Sequence, residues 1–374
     1  MSVSRVGTAE EEYLVFGKRF QIHAPQSLWA SYFNYFSDSY EPAHQEQRAL
    51  ADTTVIRVRY IDRTDILSSI TNSEKRVAFH LSSNYGHWNI VGYGDGHDMV
   101  LPEYGLAIQY FEDGHVDIFS HCPPHPRSME LVFHVARNIS LYSLDRRNTL
   151  LCHASGVAFD NRIVLFGGNK GAGKSTLFIE AVSSGGAPFA NDRTAIDIST
   201  GTATSWPSYL SYCEGTIGDY GHLTRAFLDY EQDSLSVGMK RWGTVLRRDY
   251  SQDAKRIIPP HFLTRALNRR YCQNGSIAAM VVPRLDPGLT TPFKCSGPLE
   301  MAALTPAEAN ALRMPQEDPD IPRWHGRGTT LSNTAGSDSG VALLRKLAVP
   351  AYRIEMNPKS GKEQFVSFLK TIMQ

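Results

Sequence analysis

The sequence predicts an α/β protein, α+β overall, in two parts: a mostly antiparallel β module over residues 1–122 and a mixed α/β domain over residues 123–374. Short alternating runs separated by turn signals fill the first part. Strand and helix patterns follow each other in the second part, and a glycine-rich segment lies between one such strand and helix. A chain of 374 residues is also too long for one small core.

The first part contains runs of strand length in which apolar and polar residues alternate, at 13–16, 55–60, 77–81 and 106–110. Turn signals fall between runs, at 94–96 and 112–114. Four histidines in this part have a spacing that matches no metal-ligand pattern, so we interpret them as histidines of the β module: His80, His87, His97 and His115.

The second part opens with a proline-rich turn at 123–126 and an amphipathic helix pattern over 128–144. A strand follows over 150–159, and a tight turn at Asp160-Asn161 leads into a strand over 162–166. Farther on, the patterns predict a helix over 177–184 and, over 187–198, an apolar strand that ends in polar residues and then resumes. They also predict a helical run over 257–267, a strand over 276–283, a helix over 306–312 and a flexible loop over 326–340. A helix, a strand and a helix then follow over 341–347, 349–354 and 362–373.

The glycine-rich segment reads G-N-K-G-A-G-K-S and matches the phosphate-binding pattern of Gly, four residues and Gly-Lys-Ser/Thr. A strand before it and a helix after it are the context that this loop requires. The glycines let the backbone curl so that N–H groups face phosphate oxygens, and the helix N-terminus adds partial positive charge. We therefore predict that these residues bind a nucleoside triphosphate: Gly168, Asn169, Lys170, Gly171, Ala172, Gly173, Lys174, Ser175 and Thr176.

The expected ligands of this loop are ATP and Mg²⁺, and the side-chain types in the loop predict which residue contacts which part of them. Lys174 is expected to reach the β- and γ-phosphates, and Ser175 to offer its hydroxyl to Mg²⁺. Thr176 either bonds a phosphate or caps the helix, and Lys170 either touches phosphate or faces solvent.

The composition of the chain disfavours two classes of binding partner, nucleic acids and anionic membranes. The 38 basic and 38 acidic residues cancel, so no global field favours nucleic acid or an anionic membrane. The five cysteines show no zinc or disulfide spacing, which is typical of a reducing compartment. No secretory pattern and no long apolar run is visible, so we expect a soluble cytoplasmic protein.

The succession LLCHASGVAFDNRIVLFGGNKGAGKST over 150–176, followed by ANDRTAI over 190–196, resembles the C-terminal kinase domain of the HPr kinase/phosphorylase family. It resembles in particular the divergent HPr-kinase-like kinases found beside biosynthetic gene sets. The resemblance is strong over about 105–200 and weaker over 255–285 and 341–370. The resemblance implies a P-loop kinase domain whose fold is similar to that of phosphoenolpyruvate carboxykinase. It also implies that this domain transfers phosphate from ATP to a hydroxyl of a peptide or small molecule.

The family pattern also implies site residues. A histidine in the strand before the loop is matched by His153, and an Asp-Asp pair after the next strand is matched by Asn191-Asp192. Asp192 is therefore the candidate metal ligand and base, and Lys174 and Arg193 are candidates to neutralise the transferring phosphoryl group. Because Asn191 cannot take a proton, either Asp192 serves both roles, or His153 is the base or orients the hydroxyl, or the protein hydrolyses or only binds nucleotide.

Other features leave alternatives open. The family's Glu-Ile-Arg-Gly stretch is absent, so HPr itself is not the expected acceptor. Glu214 is either a substitute that lies near the metal or a loop carboxylate. The further basic residues are either phosphate clamps or solvated charges: Lys240, Arg241, Lys255 and Arg256.

The β module is the natural place for acceptor recognition, an expectation that rests on its position alone. A nucleotide-binding regulatory or scaffold protein is the competing function, and the sequence does not fix the nucleotide base or whether the chain forms a homo-oligomer.

Overall fold

The computed structural model describes strands between residues 8 and 121 (8–15, 18–25, 41–42, 53–61, 77–83, 86–93, 96–101, 106–110 and 115–121) together with residues 148–206, 209–233, 248–250, 255–312 and 337–374. The described elements fall into two compact units. Strands β1 to β9 belong to the first, and all later strands and helices belong to the second. The predicted boundary at residue 122 lies outside the described residues.

The first unit is a nine-stranded mixed sheet in the order β3-β1-β2-β4-β9-β8-β7-β6-β5. Strand β4 pairs in parallel with both β2 and β9, and the other neighbours are antiparallel. The described strands are β1 (Thr8–Val15), β2 (Lys18–Pro25), β3 (Glu41–Pro42), β4 (Thr53–Ile61), β5 (Val77–Ser83), β6 (Gly86–Tyr93), β7 (Gly96–Leu101), β8 (Leu106–Tyr110) and β9 (Val116–His121). The mostly antiparallel pairing expected from the alternating runs is therefore confirmed for these strands.

The second unit mixes strands and helices. Its strands are β10 (Thr149–Cys152), β11 (Ala154–Phe159), β12 (Arg162–Gly167), β13 (Ala187–Ala190), β14 (Arg193–Asp197), β15 (Thr202–Trp206), β16 (Leu210–Cys213), β17 (Lys255–Ile258), β18 (Asn274–Leu285), β19 (Phe293–Leu299) and β20 (Ala351–Met356). Its described helices are α1 (Lys174–Ser183), α2 (Glu214–Asp219), α3 (Gly221–Gln232), α4 (Pro260–Leu267), α5 (Pro306–Leu312), α6 (Ser337–Lys346) and α7 (Lys362–Met373), with a 3₁₀ turn at Met301–Ala303.

The main sheet of this unit runs β10-β14-β15-β18-β12-β11-β13, with β20 beside β18 and β19 beside β20. Strands β12, β18 and β20 are parallel, so their carboxyl ends meet at one edge. Large apolar side chains from both sheet and helices fill the core, among them Phe166, Phe178, Phe189 and Phe365. Strands β16 and β17 form a separate antiparallel ribbon.

Several predicted elements need correction. The strand expected over 150–159 is broken at His153. By contrast, the expected interruption of the strand over 187–198 by polar residues is confirmed at Asn191 and Asp192. The helical run expected from residue 257 begins as strand β17, because the helix starts only after Pro259, whose backbone is extended. Residues 337–340, expected in a loop, form the first turn of α6. The helix expected over 128–144 and residues 326–336 lie outside the described residues.

The helix expected over 177–184 begins earlier, at Lys174, so the loop residues Lys174, Ser175 and Thr176 form the first turn of α1. The predicted helices over 306–312 and 362–373 are confirmed at their expected bounds. None of the described helices is long and apolar enough to span a membrane.

Candidate functional site

Strand pairing brings the two strand breaks and the end of β12 together. Ala154 pairs with Gly167, so His153 lies beside the point where the glycine-rich loop begins. On its other side, Cys152 pairs with Thr194, which places His153 next to Arg193. The backbone N–H of His153 donates to the carbonyl of Leu312 at the end of α5, at 2.9 Å. The sheet therefore brings His153 and Arg193, which are 40 positions apart in sequence, next to the same loop.

The loop has the curled backbone that its sequence predicts. Gly171 and Gly173 have φ angles of 85° and 105°, in the region that favours glycine. A Cβ on Gly173 would lie 2.3 Å from Cγ of Leu285, so close packing also excludes a side chain there. The N–H of Ala172 donates to the carbonyl of Asn169 at 3.1 Å, which closes the curl. Asn169 and Lys170 are exposed at the crest of the loop.

Lys174 points its ammonium back into this loop. Its Nζ donates to the carbonyl of Gly168 at 2.7 Å and to that of Asn169 at 3.3 Å. Ser155 donates its hydroxyl to the carbonyl of Lys174 at 3.1 Å and so ties β11 to the start of α1. Sequence reasoning missed this contact, because a serine within a buried strand carries no signal of its own. The next two residues of α1, Ser175 and Thr176, are partly exposed.

Asp192 is held by two basic side chains. Its Oδ1 lies 2.9 Å from Nε2 of His153, and its Oδ2 accepts from Nε of Arg193 at 3.2 Å. The Asp192 side chain is 40% exposed. Burial raises its pKa, but the hydrogen bond with His153 and the charges of Arg193, His153 and Lys174 outweigh burial and lower the pKa to about 2. The carboxylate is therefore ionised at neutral pH.

A second lysine lies in electrostatic range of the loop. Burial lowers the pKa of Lys174, the carboxylate of Asp192 opposes this, and the positive charge of Lys255 lowers it further. Lys255 begins β17 and pairs with Cys213 of β16. The sequence-predicted residues Lys174, Asp192 and His153 thus share their surroundings with Lys255.

The neighbour of Asp192 has a different environment. Asn191 is buried, and its Nδ2 donates to the carbonyl of Tyr209 at 3.2 Å. This bond fixes the Asp192 turn against the segment that leads into β16. The Oδ1 atom of Asn191 is buried and has no hydrogen-bond partner among the described residues. An unsatisfied buried oxygen of this kind is costly unless another group supplies the missing contact.

Two other candidate site residues, Glu214 and Arg256, form a buried ion pair with each other. Glu214 is buried at the start of α2, where its Oε1 accepts from Nε and Nη2 of Arg256 at 3.2 and 3.1 Å. Arg256 also donates to Glu231 of α3 at 2.8 Å. A buried guanidinium between two carboxylates anchors β17 to the helices, so the idea that Arg256 clamps a phosphate or that Glu214 approaches a metal is not supported. Lys240 and Arg241 lie outside the described residues.

The oxygen atoms near the loop fit a magnesium ion bound with a nucleotide. The ionised carboxylate of Asp192 and the hydroxyl of Ser175 are hard oxygen donors of the type that Mg²⁺ prefers. Each oxygen of Asp192 can accept a further contact beyond those to His153 and Arg193. Over the described ranges, no group of three or more His, Cys, Asp or Glu side chains could hold a metal by itself.

A scan against protein-family models finds no match for the chain, and a search of curated proteins finds none either. The fold and the site together define a mixed α/β protein with a glycine-rich loop between a strand and a helix, and a His–Asp–Arg cluster beside that loop.

Proposed function

We propose that the protein is an ATP-dependent kinase that transfers the γ-phosphoryl group to a hydroxyl of a peptide or small molecule, in a biosynthetic pathway. The proposed domain is a P-loop kinase domain of the HPr kinase/phosphorylase type, and the β module is the proposed site of acceptor recognition. One observation carries the proposal: the ammonium of Lys174, inside the curled loop, and the His153–Asp192 pair occupy the same corner of the sheet.

The charges at this corner support the proposed nucleotide binding. Lys174 contributes a cation whose contacts are loop carbonyls, and phosphate oxygens would be stronger acceptors for it. Arg193 and Lys255 add positive charge, whereas the carboxylate of Asp192 raises the pKa of Lys174 and so favours its charged form. Together with the N–H groups of the loop and of α1, this excess of positive charge favours a polyanion.

Ser175 and Asp192 would hold the magnesium ion of the nucleotide. The ion would neutralise charge on the β- and γ-phosphates. Asp192 remains an anion in this role, since its pKa of about 2 keeps it deprotonated across the physiological range.

The same low pKa makes Asp192 a poor acceptor for a hydroxyl proton, because a general base works best when its pKa lies near the working pH. His153 is the better candidate base, because a neutral imidazole that donates one ring N–H to a carboxylate keeps its other nitrogen as a proton acceptor. Its Nε2 lies 2.9 Å from Oδ1 of Asp192, and this contact orients the ring. This leaves Nδ1 of His153 to accept the proton.

In the proposed reaction, the acceptor oxygen forms a bond to the γ-phosphorus while the bond from that phosphorus to the β–γ bridging oxygen breaks. The hydroxyl proton moves to His153, and ADP leaves with the electron pair of the broken bond. Lys174 and Arg193 neutralise the charge on the transferring group.

Incubation of the purified chain with ATP, Mg²⁺ and candidate acceptors tests the proposal. Mass spectrometry should find an acceptor heavier by one phosphoryl group. Lys174→Ala should abolish the product, whereas Lys294→Ala, which removes an exposed lysine of β19, should not. Release of free phosphate without any modified acceptor, across peptides and metabolites of the biosynthetic class, would contradict the proposal.

A nucleotide-binding regulatory protein is the second candidate. Asn191 stands where the family has an acid, and both oxygens of Asp192 are already bound by basic side chains. This candidate predicts that ATP affinity survives Asp192→Asn and that neither protein turns over. Measured phosphoryl transfer by the unsubstituted protein would exclude it.

A further inference from the structure

A cavity of about 310 Å³ lies against the glycine-rich loop. It is lined by loop residues 168–172, by the end of β18 and by one face of α5. Its volume is at the lower end of the range for small-molecule sites, roughly 300 to 1,000 Å³. Neither His153 nor Asp192 lines it, so the cavity is distinct from the His–Asp–Arg cluster.

The cavity and the cluster flank the strand that carries the loop. Strand β12 has β11 as one neighbour, with His153 at its start, and β18 as the other, with Leu285 at its end. The loop therefore runs between the His–Asp–Arg cluster on one side and the cavity on the other. Ligands of parallel sheets bind outside the carboxyl ends of the strands, and β12, β18 and β20 all end at this edge.

The walls of the cavity suit a flat, partly apolar group. Val282, Pro283 and Leu285 present aliphatic surface from β18, and Ala307 and Ala311 present small side chains from α5. The two alanines are four residues apart, so they share one face of the helix and leave space where larger side chains would close it. Arg284 lies among the lining residues and is largely exposed.

Helix α5 is fixed in place, so this space is built into the fold. Glu308 accepts from the backbone N–H of Thr305 at 2.7 Å, and the Glu308 N–H donates to the Thr305 hydroxyl at 3.3 Å, which forms a capping box. Arg353 of β20 donates to Glu308 at 2.8 Å. At the other end of the helix, the carbonyl of Leu312 accepts a hydrogen bond from the backbone N–H of His153. Hydrogen bonds therefore hold α5 at both ends.

We propose that this cavity binds the nucleoside, the base with its ribose, of the nucleotide whose phosphates the loop holds. The inference rests on the proposed nucleotide binding. A triphosphate whose γ-end faces His153 and Asp192 has its nucleoside end on the opposite side of the loop. There the cavity offers aliphatic contact from β18 and α5, beside the charged side chains of Lys170, Arg284 and Glu308. Base contacts in this cavity would determine which nucleoside triphosphate is preferred.

Filling the cavity tests this directly. Ala307→Phe places a ring into it from an exposed position in the first turn of α5, where the core is not disturbed. Asn310→Phe is the matched control, since Asn310 is exposed on the same helix and does not line the cavity. Ala311→Leu provides a second, smaller obstruction from the same face. Calorimetric titrations with Mg²⁺ present would measure the affinity of each protein for ATP and for inorganic tripolyphosphate, which has no nucleoside.

We expect Ala307→Phe to weaken ATP binding at least about tenfold, equivalent to about 1.4 kcal/mol, and to leave tripolyphosphate binding within about twofold. Ala311→Leu should show the same selectivity to a smaller extent, and Asn310→Phe should match the unsubstituted protein. Unchanged ATP affinity in both cavity variants, or an equal loss for both ligands, would overturn the inference. So would a loss confined to the KM of the phosphoryl acceptor, because the cavity would then hold the acceptor. Failure of the unsubstituted protein to bind either ligand would instead refute the proposed nucleotide site, and this inference with it.

Discussion

Replacing Asp192 by Asn tests the electrostatics of the site, because it removes one charge and preserves the shape of the side chain. Folding lowers the pKa of this carboxyl from 3.8 to about 2, since the hydrogen bond with His153 and nearby positive charges outweigh burial. At about 1.4 kcal/mol per pKa unit this difference corresponds to about 2 kcal/mol. Because 40% of the side chain is exposed, solvent screening reduces the expected contribution to about 1 kcal/mol.

The sign of the pH dependence follows from the lowered pKa. A carboxyl whose pKa falls on folding stabilises the folded state above its unfolded pKa and loses that contribution as the pH drops through the folded value. The unsubstituted protein should therefore be more stable than Asp192→Asn by about 1 kcal/mol at neutral pH. This difference should shrink between about pH 4 and about pH 2.

Urea unfolding followed by circular dichroism, at neutral pH and at steps down to about pH 3, would measure the difference in the free energy of unfolding. Glu300→Gln, at an exposed carboxyl, is the control and should be neutral. Equal stability of the Asp192→Asn and unsubstituted proteins at neutral pH would refute the reasoning. A difference that stays constant at low pH would do so as well, because it would not arise from the charge.

Three further substitutions probe the surroundings of the loop. His153→Gln should lower kcat by about 10² to 10⁴ in initial-rate assays while ATP affinity stays the same, and an unchanged kcat would exclude His153 as the base. Lys255→Ala should weaken ATP binding about tenfold by calorimetry, unlike the exposed Lys294→Ala, and equal affinities would remove Lys255 from the site. Arg256→Met should cost about 3 to 5 kcal/mol in urea unfolding because it takes the guanidinium away from buried Glu214, and a neutral result would contradict the anchoring role.

The loop could be predicted from sequence because its determinants are local. Glycines that permit positive φ, an apolar strand before them and a helix after them all lie within about twenty residues. The confirmed helices α5 and α7 likewise carry clear local patterns. The start of α1 was placed three residues late, because Lys174, Ser175 and Thr176 interrupt the apolar pattern although their backbone is helical.

What the sequence could not predict depends on pairing between distant strands. The break at His153 lies in a continuous apolar run, and only the pairing of β10 with β14 and of β11 with β12 shows why one residue leaves both ladders. The sequence offers Arg256 either as a phosphate clamp or as a solvated charge, but alternation along β17 buries it against Glu214. The cavity beside the loop is lined by three segments that are far apart in sequence, so no local pattern predicts it.

The most direct measurement of the central claim is a crystal structure of the chain with a non-hydrolysable ATP analogue and Mg²⁺. We expect the β- and γ-phosphates within hydrogen-bonding distance of the backbone N–H groups of residues 169–174 and of Nζ of Lys174, released from its carbonyl partners. A loop that stays without phosphate at saturating analogue, with Lys174 still bound to Gly168, would contradict the account.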